Sequence, residues 1–495
     1  MKFKIKRMAK IRGRIFINII LFVLPALSAT GCRKNTVPEE YKQNSIYVNK
    51  SSVALKVGDR EQLTASAVPA VAQSPAFEWK SANIAVATVV NGLVEAIAVG
   101  ETTITVNSQA ISVIIPVKVE AADSVSKSVL YNKTLNSNNS TPELLLNGVG
   151  QYNSEGLNVT VKGNVAKLNK FYALAERMVQ YRVNFSADAK AIFKSSEGDF
   201  NAYIDIPNKR ISIATNPVTE KTVSFLKGNR EYLVEIYHIY QQAKVRIVDL
   251  QTGEEAEISA THDGQGGCGA GAVHTGFGVG MQWDYYCFGL TNGTSILVKQ
   301  ITVFALKNKV KVLIYGDSIT QPEGYFPTKD FPESWTQLII RKLDGDAMSS
   351  GRGGGTIATV LDYIRNELPY IKAKYVMVTV GTNGGNTEGN LSELVNYIKE
   401  HGAIPILNNT PSNESGTQVE NNTLIDQVRH KFAIKGCKFD LATSINGDGK
   451  EVDKSMMFWE DYSTSYGWQI YHHPNGKGGM KMFERTLIDV PEIYE

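Results

Sequence analysis

The sequence predicts a multidomain protein in which two β-sandwich domains precede a C-terminal α/β domain. Its 495 residues exceed the size of one ordinary domain. Up to residue 306, short segments alternate apolar and polar residues, and this period of two is typical of strands with one buried face. From residue 310, continuous apolar segments alternate with segments of helical periodicity, a pattern typical of a parallel sheet covered by helices.

Composition narrows the class of protein. Hydrophobic residues make up 43% and charged residues 20% of the chain, which indicates globular domains with apolar cores. The formal net charge of +3 is small, and the seven basic residues among the first 14 positions more than account for it. The composition therefore does not predict nucleic acid as a partner.

The N-terminus has the features of an export signal. The basic cluster precedes the apolar segment IFINIILFVLPALSA (15–29), which contains a proline and leads into ATGC. The small residues before Cys32 resemble a bacterial lipobox, although Ala29 stands where leucine is usual. This resemblance implies a lipoprotein signal peptide over residues 1–31 and lipidation of Cys32. We then expect a lipid anchor in the bacterial cell envelope, at the outer membrane and exposed on the cell surface. A plain secretory signal is the alternative.

After a linker at residues 32–45, residues 46–120 form the first predicted β domain. Four segments carry the period-two pattern: VALKVGDREQLTA, AFEWKSANIAVATV, GLVEAIAVGETTITV and ISVIIPVKV. The order of VG, LTA, a proline, Trp79 and the later glycines resembles the bacterial Ig-like group 2 domain. Such domains usually act as spacers or adhesive stalks, and we expect Trp79 to lie in the core.

Residues 125–306 again predict an all-β domain, loosely similar to concanavalin-like or jelly-roll domains, which either binds carbohydrate or is structural. Its glycine-rich segment (262–280) lacks the Gly-Lys-Ser/Thr of a phosphate-binding loop, so we reject that function for it. Cys268 and Cys287 form a possible disulfide in an oxidising compartment, although two isolated thiols fit the spacing equally well.

The third predicted domain, residues 308–495, places polar motifs directly after its strands. GDSIT (316–320) follows the first strand, SSGRGGGT (349–356) follows a second, and GTNGGN (381–386) follows a third. In a parallel α/β sheet, active sites gather beyond the carboxyl ends of the strands. A serine on a tight turn after a buried strand can be placed against a base, so these motifs predict an active site.

These three motifs, followed by HPN (473–475), resemble those of the SGNH (GDSL-type) hydrolase superfamily. The resemblance implies a flavodoxin-like three-layer α/β/α fold and a serine esterase that forms an acyl-enzyme without a cofactor. Carried over by position, Ser318 becomes the nucleophile and His473 the base. The backbone N–H groups of Ser318 and Gly354 and the side-chain amide of Asn383 become the oxyanion hole.

The acid that orients the base is missing from its usual position. Members of the superfamily carry an aspartate three residues before the histidine, where this sequence has Ile470. Three explanations stay open: a Ser–His dyad oriented by a backbone carbonyl, a displaced acid at Glu460, Asp461 or Asp440, and an inactive binding module. The histidines show no metal-ligand spacing, so no metal is expected.

An aromatic-rich segment (458–471) precedes the histidine. Tyr466 and Trp468 are candidates for stacking on sugar rings, and His472 is a candidate for a substrate contact, with packing or surface roles as the alternatives. The sequence therefore predicts an exported esterase that removes O-acetyl groups from a polysaccharide. The alternatives are a lipid or lysophospholipid ester as the substrate, and an inert surface protein that binds glycans or mediates adhesion.

Overall fold

The computed structural model describes residues 44–56, 59–69, 75–120, 127–195, 200–215, 217–261, 286–461 and 469–495. The chain divides into two compact units, Met1–Asp123 and Ser124–Glu495. The predicted signal peptide, Cys32 and all but the end of the linker lie outside the described residues. Within the described ranges, no helix is long and apolar enough to span a membrane.

The first unit consists of short strands with alternating burial. They are β1 (Ser45–Val48), β2 (Val53–Lys56), β3 (Arg60–Gln62), β4 (Ala65–Val68), β5 (Glu78–Ser81), β6 (Ala87–Val90), β7 (Leu93–Ala96), β8 (Gly100–Ser108) and β9 (Ile111–Glu120). One sheet has the order β2-β9-β8-β5, a second has the order β3-β7-β6, and β1 pairs with β4. Ile104, Val106, Ile115 and Val117 are buried in the core of this unit. Trp79, which we expected in the core, is half-buried and packs against it.

The first part of the second unit contains fifteen described strands. They are β10 (Ser128–Thr134), β11 (Leu144–Leu145), β12 (Gly150–Tyr152), β13 (Leu157–Val159), β14 (Val165–Leu168), β15 (Glu176–Phe185), β16 (Lys190–Ser195), β17 (Asn201–Asp205), β18 (Arg210–Ile213), β19 (Thr219–Thr222), β20 (Arg230–Ile239), β21 (Gln242–Asp249), β22 (Glu255–Thr261), β23 (Tyr286–Asn292) and β24 (Ile296–Ala305). One antiparallel sheet has the order β12-β13-β24-β15-β20-β21-β22, with β10 also beside β24, and the other has the order β11-β14-β23-β16-β17-β18-β19.

These two sheets pack face to face as a β-sandwich. Tyr181 of β15 contacts Phe193 of β16 and Phe288 of β23, with ring centroids 4.9 and 5.5 Å apart, and all three side chains are buried. Cys287, next to Phe288, is buried. Cys268, the possible disulfide partner of Cys287, lies outside the described residues, so that pairing stays a prediction.

The rest of the second unit is built on a parallel sheet. Its strands and helices are β25 (Lys309–Gly316), α1 (Trp335–Lys342), β26 (Ala347–Gly351), α2 (Ile357–Glu367), β27 (Lys372–Thr379), α3 (Glu388–Glu400), β28 (Ile404–Leu407), α4 (Gln418–Phe432), α5 (Phe439–Thr443), β29 (Met457–Asp461), β30 (Gln469–Pro474) and α6 (Gly476–Asp489). The sheet has the order β26-β25-β27-β28, with every pair parallel, and β29 and β30 form an antiparallel hairpin.

Helices cover both faces of the parallel sheet. Val312 and Ile314 of β25 pack in one buried cluster with side chains from α1 and α6. The alternate residues Leu313 and Tyr315 belong to a second cluster, which includes side chains from α2, α3 and α4. This alternation follows from the strand period of two and explains why β25 is apolar at every position from Val312 to Tyr315.

The sandwich and the parallel sheet are joined by buried polar contacts. The carboxylate of Glu367 in α2 accepts hydrogen bonds from the backbone N–H groups of Ala173 and Leu174, at 2.6 and 3.1 Å, and from Ser350 Oγ at 2.7 Å. Burial raises the pKa of Glu367 to about 7. The segment before β15 thereby holds β26, the strand that leads into the glycine-rich motif.

The chain as a whole is a mostly β, multidomain protein with a smaller parallel α/β part.

Candidate active site

The tight turn after β25 presents Ser318. Gly316 ends the strand where a Cβ atom would lie 2.4 Å from the carbonyl oxygen of Thr379 in β27, so only glycine fits this close approach. Asp317 then closes the turn, because its Oδ1 accepts a hydrogen bond from the N–H of Ile319 at 3.0 Å. Ser318 is 4% exposed at the carboxyl end of the strand.

The hairpin of β29 and β30 presents His473. Asn475, two residues later, caps α6 by accepting hydrogen bonds from the N–H groups of Lys477 and Gly478, and its amide donates to the carbonyl oxygen of Met457 in β29. This asparagine therefore fixes the end of β30 against the start of β29. Glu460 of β29 is paired with Ile470 in this hairpin, and its carboxylate lies beside the His473 imidazole.

Ser318, His473 and Glu460 form one line of hydrogen bonds. His473 Nε2 lies 2.7 Å from Ser318 Oγ, and His473 Nδ1 lies 2.6 Å from Glu460 Oε1. All three residues are buried. The expected alternative of a backbone carbonyl on Nδ1 is wrong, because the Glu460 carboxylate occupies that position.

Asp440, another candidate acid, is hydrogen-bonded elsewhere. Asp440 lies in α5, where both of its carboxylate oxygens accept from the Asn409 amide at 3.0 Å, a turn-supporting role. The side chain of Asp461 lies outside the described residues, as do Tyr466 and Trp468.

His472 faces the same carboxylate from the other side. Its Nδ1 lies 2.7 Å from Glu460 Oε2, and its ring centroid is 3.8 Å from that of His473. His472 therefore contacts the acid, in addition to any contact with substrate. Glu460, His472 and His473 offer three possible metal-ligand atoms within 4.8 Å of one another. A metal at His473 Nδ1 would have to replace the proton that this nitrogen shares with Glu460.

Electrostatics favour an ionised acid and a neutral base. Burial acts to raise the pKa of Glu460, but the charge and hydrogen bonds of the two histidines outweigh it and lower the pKa to about 2. Burial lowers the pKa of His473 below its ordinary value, although the Glu460 carboxylate opposes part of this shift. Near neutral pH, the imidazole can therefore accept a proton from Ser318.

Two loops bring the proposed oxyanion donors to the nucleophile turn. The N–H of Gly353 donates to Gln321 Oε1 at 2.6 Å, which ties the glycine-rich loop to the turn that follows Ser318. The Asn383 amide donates to the carbonyl oxygen of Gly355 at 3.0 Å, which ties the second loop to the first. Gly354, between these contacts, has φ of +70° and is exposed, and Asn383 is exposed as well.

Two contributors to the site were not predicted. The ring of Tyr325 stacks on the His473 imidazole with centroids 4.0 Å apart and an interplanar angle of 22°. Gln321 is 4% exposed and holds Gly353, as described above. The only sequence signal for either is its place just beyond the GDSIT motif.

One small cavity lies at the nucleophile, and a larger one lies next to the loop that carries Asn383. One, of about 10 Å³, is lined by Ser318, Ile319, Tyr325, Phe326, Trp335, His473, Pro474 and Gly479. It has room for about one water-sized group. The other, of about 350 Å³, adjoins the loop that carries Asn383 and is lined by Gly381, Thr382, Gly384, Gly385, Asn386, Thr417, Glu420, Asn421 and Leu424.

Comparison with protein families identifies part of the chain. Residues 43–113 match the bacterial Ig-like domain (group 2), which confirms the predicted first β domain. No curated protein matches the sequence.

Solved structures of esterases and a lipase show weak similarity to parts of the chain. A GDSL-like lipase from Bacteroides thetaiotaomicron is 16% identical, with 36% of this chain and 85% of that chain covered and a TM-score of 0.27. A family two carbohydrate esterase from Cellvibrio japonicus is 11% identical, with 74% and 98% covered and a TM-score of 0.26. An acetyl-xylooligosaccharide esterase from Geobacillus is 15% identical, with 37% and 93% covered and a TM-score of 0.28. TM-scores this low do not establish a shared fold, so the site geometry carries the functional inference.

Proposed function

We propose that this protein is a serine esterase of the SGNH (GDSL-type) kind that removes O-acetyl groups from a polysaccharide. The observation that carries the proposal is the continuous hydrogen-bonded line from Ser318 through His473 to Glu460. A serine nucleophile requires a base in contact with its hydroxyl and an acid that orients the base, and these three residues meet both requirements.

In the first half of the reaction, Ser318 Oγ attacks the carbonyl carbon of the ester while His473 Nε2 takes the hydroxyl proton. Glu460 accepts the hydrogen bond from Nδ1 and stabilises the imidazolium that forms. The negative charge on the former carbonyl oxygen is received by the N–H groups of Ser318 and Gly354 and by the Asn383 amide. The C–O bond to the alcohol then breaks, and His473 gives its proton to the leaving oxygen.

In the second half, water replaces the alcohol. His473 takes a proton from the water as its oxygen attacks the acyl carbon, which forms a second tetrahedral intermediate. The bond to Ser318 Oγ breaks, the serine recovers its proton from His473, and the carboxylic acid leaves. These steps require no group beyond the chain's own residues and water.

The two cavities support an acetyl group and a sugar as the parts of the ester. The cavity at Ser318 has room for a group of about one methyl, and apolar side chains of Phe326 and Trp335 line it. The larger cavity beside Asn383 is lined by hydroxyl, amide and carboxylate side chains, including Glu420 and Asn421, which suit the hydroxyl groups of a carbohydrate.

The place of the protein in the cell is part of the same proposal. The lipobox-like sequence at Cys32 supports a lipid anchor at the outer membrane, and the Ig-like domain that follows suits a spacer between the anchor and the catalytic part. Labelling with radioactive palmitate tests the anchor, because wild type should incorporate it and a Cys32→Ala variant should not.

Acetate release from a panel of acetylated polysaccharides tests the function. Wild type should release acetate from at least one of them and hydrolyse 4-nitrophenyl acetate, whereas Ser318→Ala should do neither. Activity on lysophospholipids without acetate release would replace the polysaccharide with a lipid substrate. Glycan binding without hydrolysis of any ester would make the chain an inert binding protein.

A further inference from the structure

We infer that Gln241, in a turn of the β-sandwich, is a positioning residue for the esterase site. The inference rests on the proposed function and gives the sandwich a part in it. Gln241 lies between β20 and β21 and is 4% exposed. Its Nε2 donates hydrogen bonds to the carbonyl oxygens of Glu323 at 3.2 Å and Phe326 at 2.6 Å. One amide group thus holds both ends of the segment Glu323–Phe326.

The turn that carries Gln241 is itself fixed. Tyr240 has φ of +51°, in the left-handed region that non-glycine residues adopt only when their surroundings dictate it. Its N–H donates to the carbonyl oxygen of Ala175 at 2.8 Å, and its ring contacts that of Phe331 at a centroid distance of 5.8 Å. The N–H of Ala175 in turn donates to the backbone carbonyl oxygen of Ser349 in β26 at 2.9 Å.

The segment held by Gln241 has little structure of its own. It lies between the Ser318 turn and α1, where only the short 3₁₀ turns Pro322–Gly324 and Phe331–Glu333 occur. A loop without a helix or sheet ladder depends on outside contacts for its position, because its backbone groups must find other partners. Here the sandwich supplies the donor that both carbonyl groups share.

The same segment forms a wall of the active site. Tyr325 stacks on the His473 imidazole at 4.0 Å between ring centroids. Phe326 lines the small cavity together with Ser318, and its ring meets the edge of Phe458 at 5.3 Å. Movement of this segment would uncover the imidazole and widen the cavity that receives the acyl group.

The pKa of His473 depends on the groups that face its imidazole. These are Glu460 from β29, His472 from β30, Ser318 from the turn after β25, and Tyr325 from the segment held by Gln241. Of these, Gln241 supports only the Tyr325 segment, which contributes burial. Because burial lowers the pKa of His473, release of Tyr325 should let that pKa rise towards its ordinary value.

Replacement of Gln241 by alanine, with Gln242→Ala as the matched control, tests the inference. Gln242 is the next residue along the same hairpin and is exposed, so its variant should keep wild-type activity. Gln241→Ala should lower kcat on 4-nitrophenyl acetate by about tenfold to a hundredfold, as a misplacement of about 1 Å does, with little change in KM. The acid limb of its pH–rate profile should move to higher pH.

A second background separates positioning from general stability. In a Tyr325→Ala/Phe326→Ala variant, the further change Gln241→Ala should lower kcat by less than about twofold, because both side chains that it positions are already gone. An undiminished loss in that background, or wild-type kcat and pH profile in a folded Gln241→Ala, would overturn the inference.

Failure of the positioning role can be distinguished from failure of the proposed esterase function. Wild type without esterase activity would refute the function. The pKa of His473, measured by NMR in wild type and in Gln241→Ala, would still test the positioning role. An unchanged pKa would count against it.

Discussion

Glu460→Gln removes the charge of the acid while keeping its shape. In the wild type, the carboxylate lies 2.6 Å from His473 Nδ1 and is fully buried, so little solvent screens it from the imidazolium that forms during attack. Two unit charges with centres about 4 Å apart interact by about 4 kcal/mol at an effective dielectric constant of about 20. Loss of that stabilisation in the transition state corresponds to a decrease in kcat of about 10³-fold.

The assay is hydrolysis of 4-nitrophenyl acetate at saturating substrate, with circular dichroism to establish that the variant is folded. KM should change little, because Glu460 does not contact the ester. Asp461→Asn, at the neighbouring position, is the matched control and should keep kcat within about twofold of wild type. The reasoning is refuted if folded Glu460→Gln retains wild-type kcat, or if Asp461→Asn loses as much activity.

Three further predictions concern the oxyanion hole, the base and the acyl cavity. Asn383→Ala should lower kcat by about 10²–10³-fold with little effect on KM, the usual loss for one oxyanion donor, and an unchanged kcat would remove Asn383 from that role. The acid limb of the pH profile of kcat/KM should have its midpoint below the ordinary histidine pKa of about 6.5. Burial lowers the pKa of His473, and the enzyme stays active until that imidazole is protonated. A midpoint above about 6.5 would contradict the assignment of His473 as the base. For acyl specificity, kcat/KM should be at least about tenfold higher for 4-nitrophenyl acetate than for 4-nitrophenyl octanoate. Phe326→Ala should reduce this preference, because it widens the cavity at Ser318. A wild-type preference for the octanoate would exclude an acetyl-sized cavity.

The sequence was sufficient to nominate Ser318 and His473. Periodicity places Ser318 on a turn at the end of a strand, whereas His473 follows only from the resemblance of its HPN motif to that of the SGNH hydrolases. The structure brings these two side chains, 155 residues apart in sequence, to 2.7 Å. The Ig-like domain was predictable for a similar reason, since its pattern of strands and turns is local.

The acid could not be chosen from the sequence. Glu460 lies 13 residues before His473 on the opposite strand of a hairpin. The pairing of β29 with β30 shifts register between Met457 and Trp459, and Glu460 is paired with Ile470 rather than with His473. Neither the register nor the shift has a signal in the residue types.

The contact of the sandwich residue Gln241 with the active-site segment could not be predicted from the sequence either. Gln241 lies 82 residues before Glu323, and a glutamine in a hairpin turn ordinarily faces solvent. Only the packing of the sandwich against the parallel sheet buries it on the Tyr325 segment.

Detection of the acyl-enzyme tests the central claim most directly. Wild type is mixed with an excess of 4-nitrophenyl acetate, quenched in acid during turnover and analysed by peptide mass spectrometry. One acetyl group should be found on Ser318, and it should persist longer in Glu460→Gln, in which the water that releases it is activated poorly. Turnover with no acetyl on Ser318, or with an acetyl group on another residue that Ser318→Ala still acquires, would contradict the proposed mechanism.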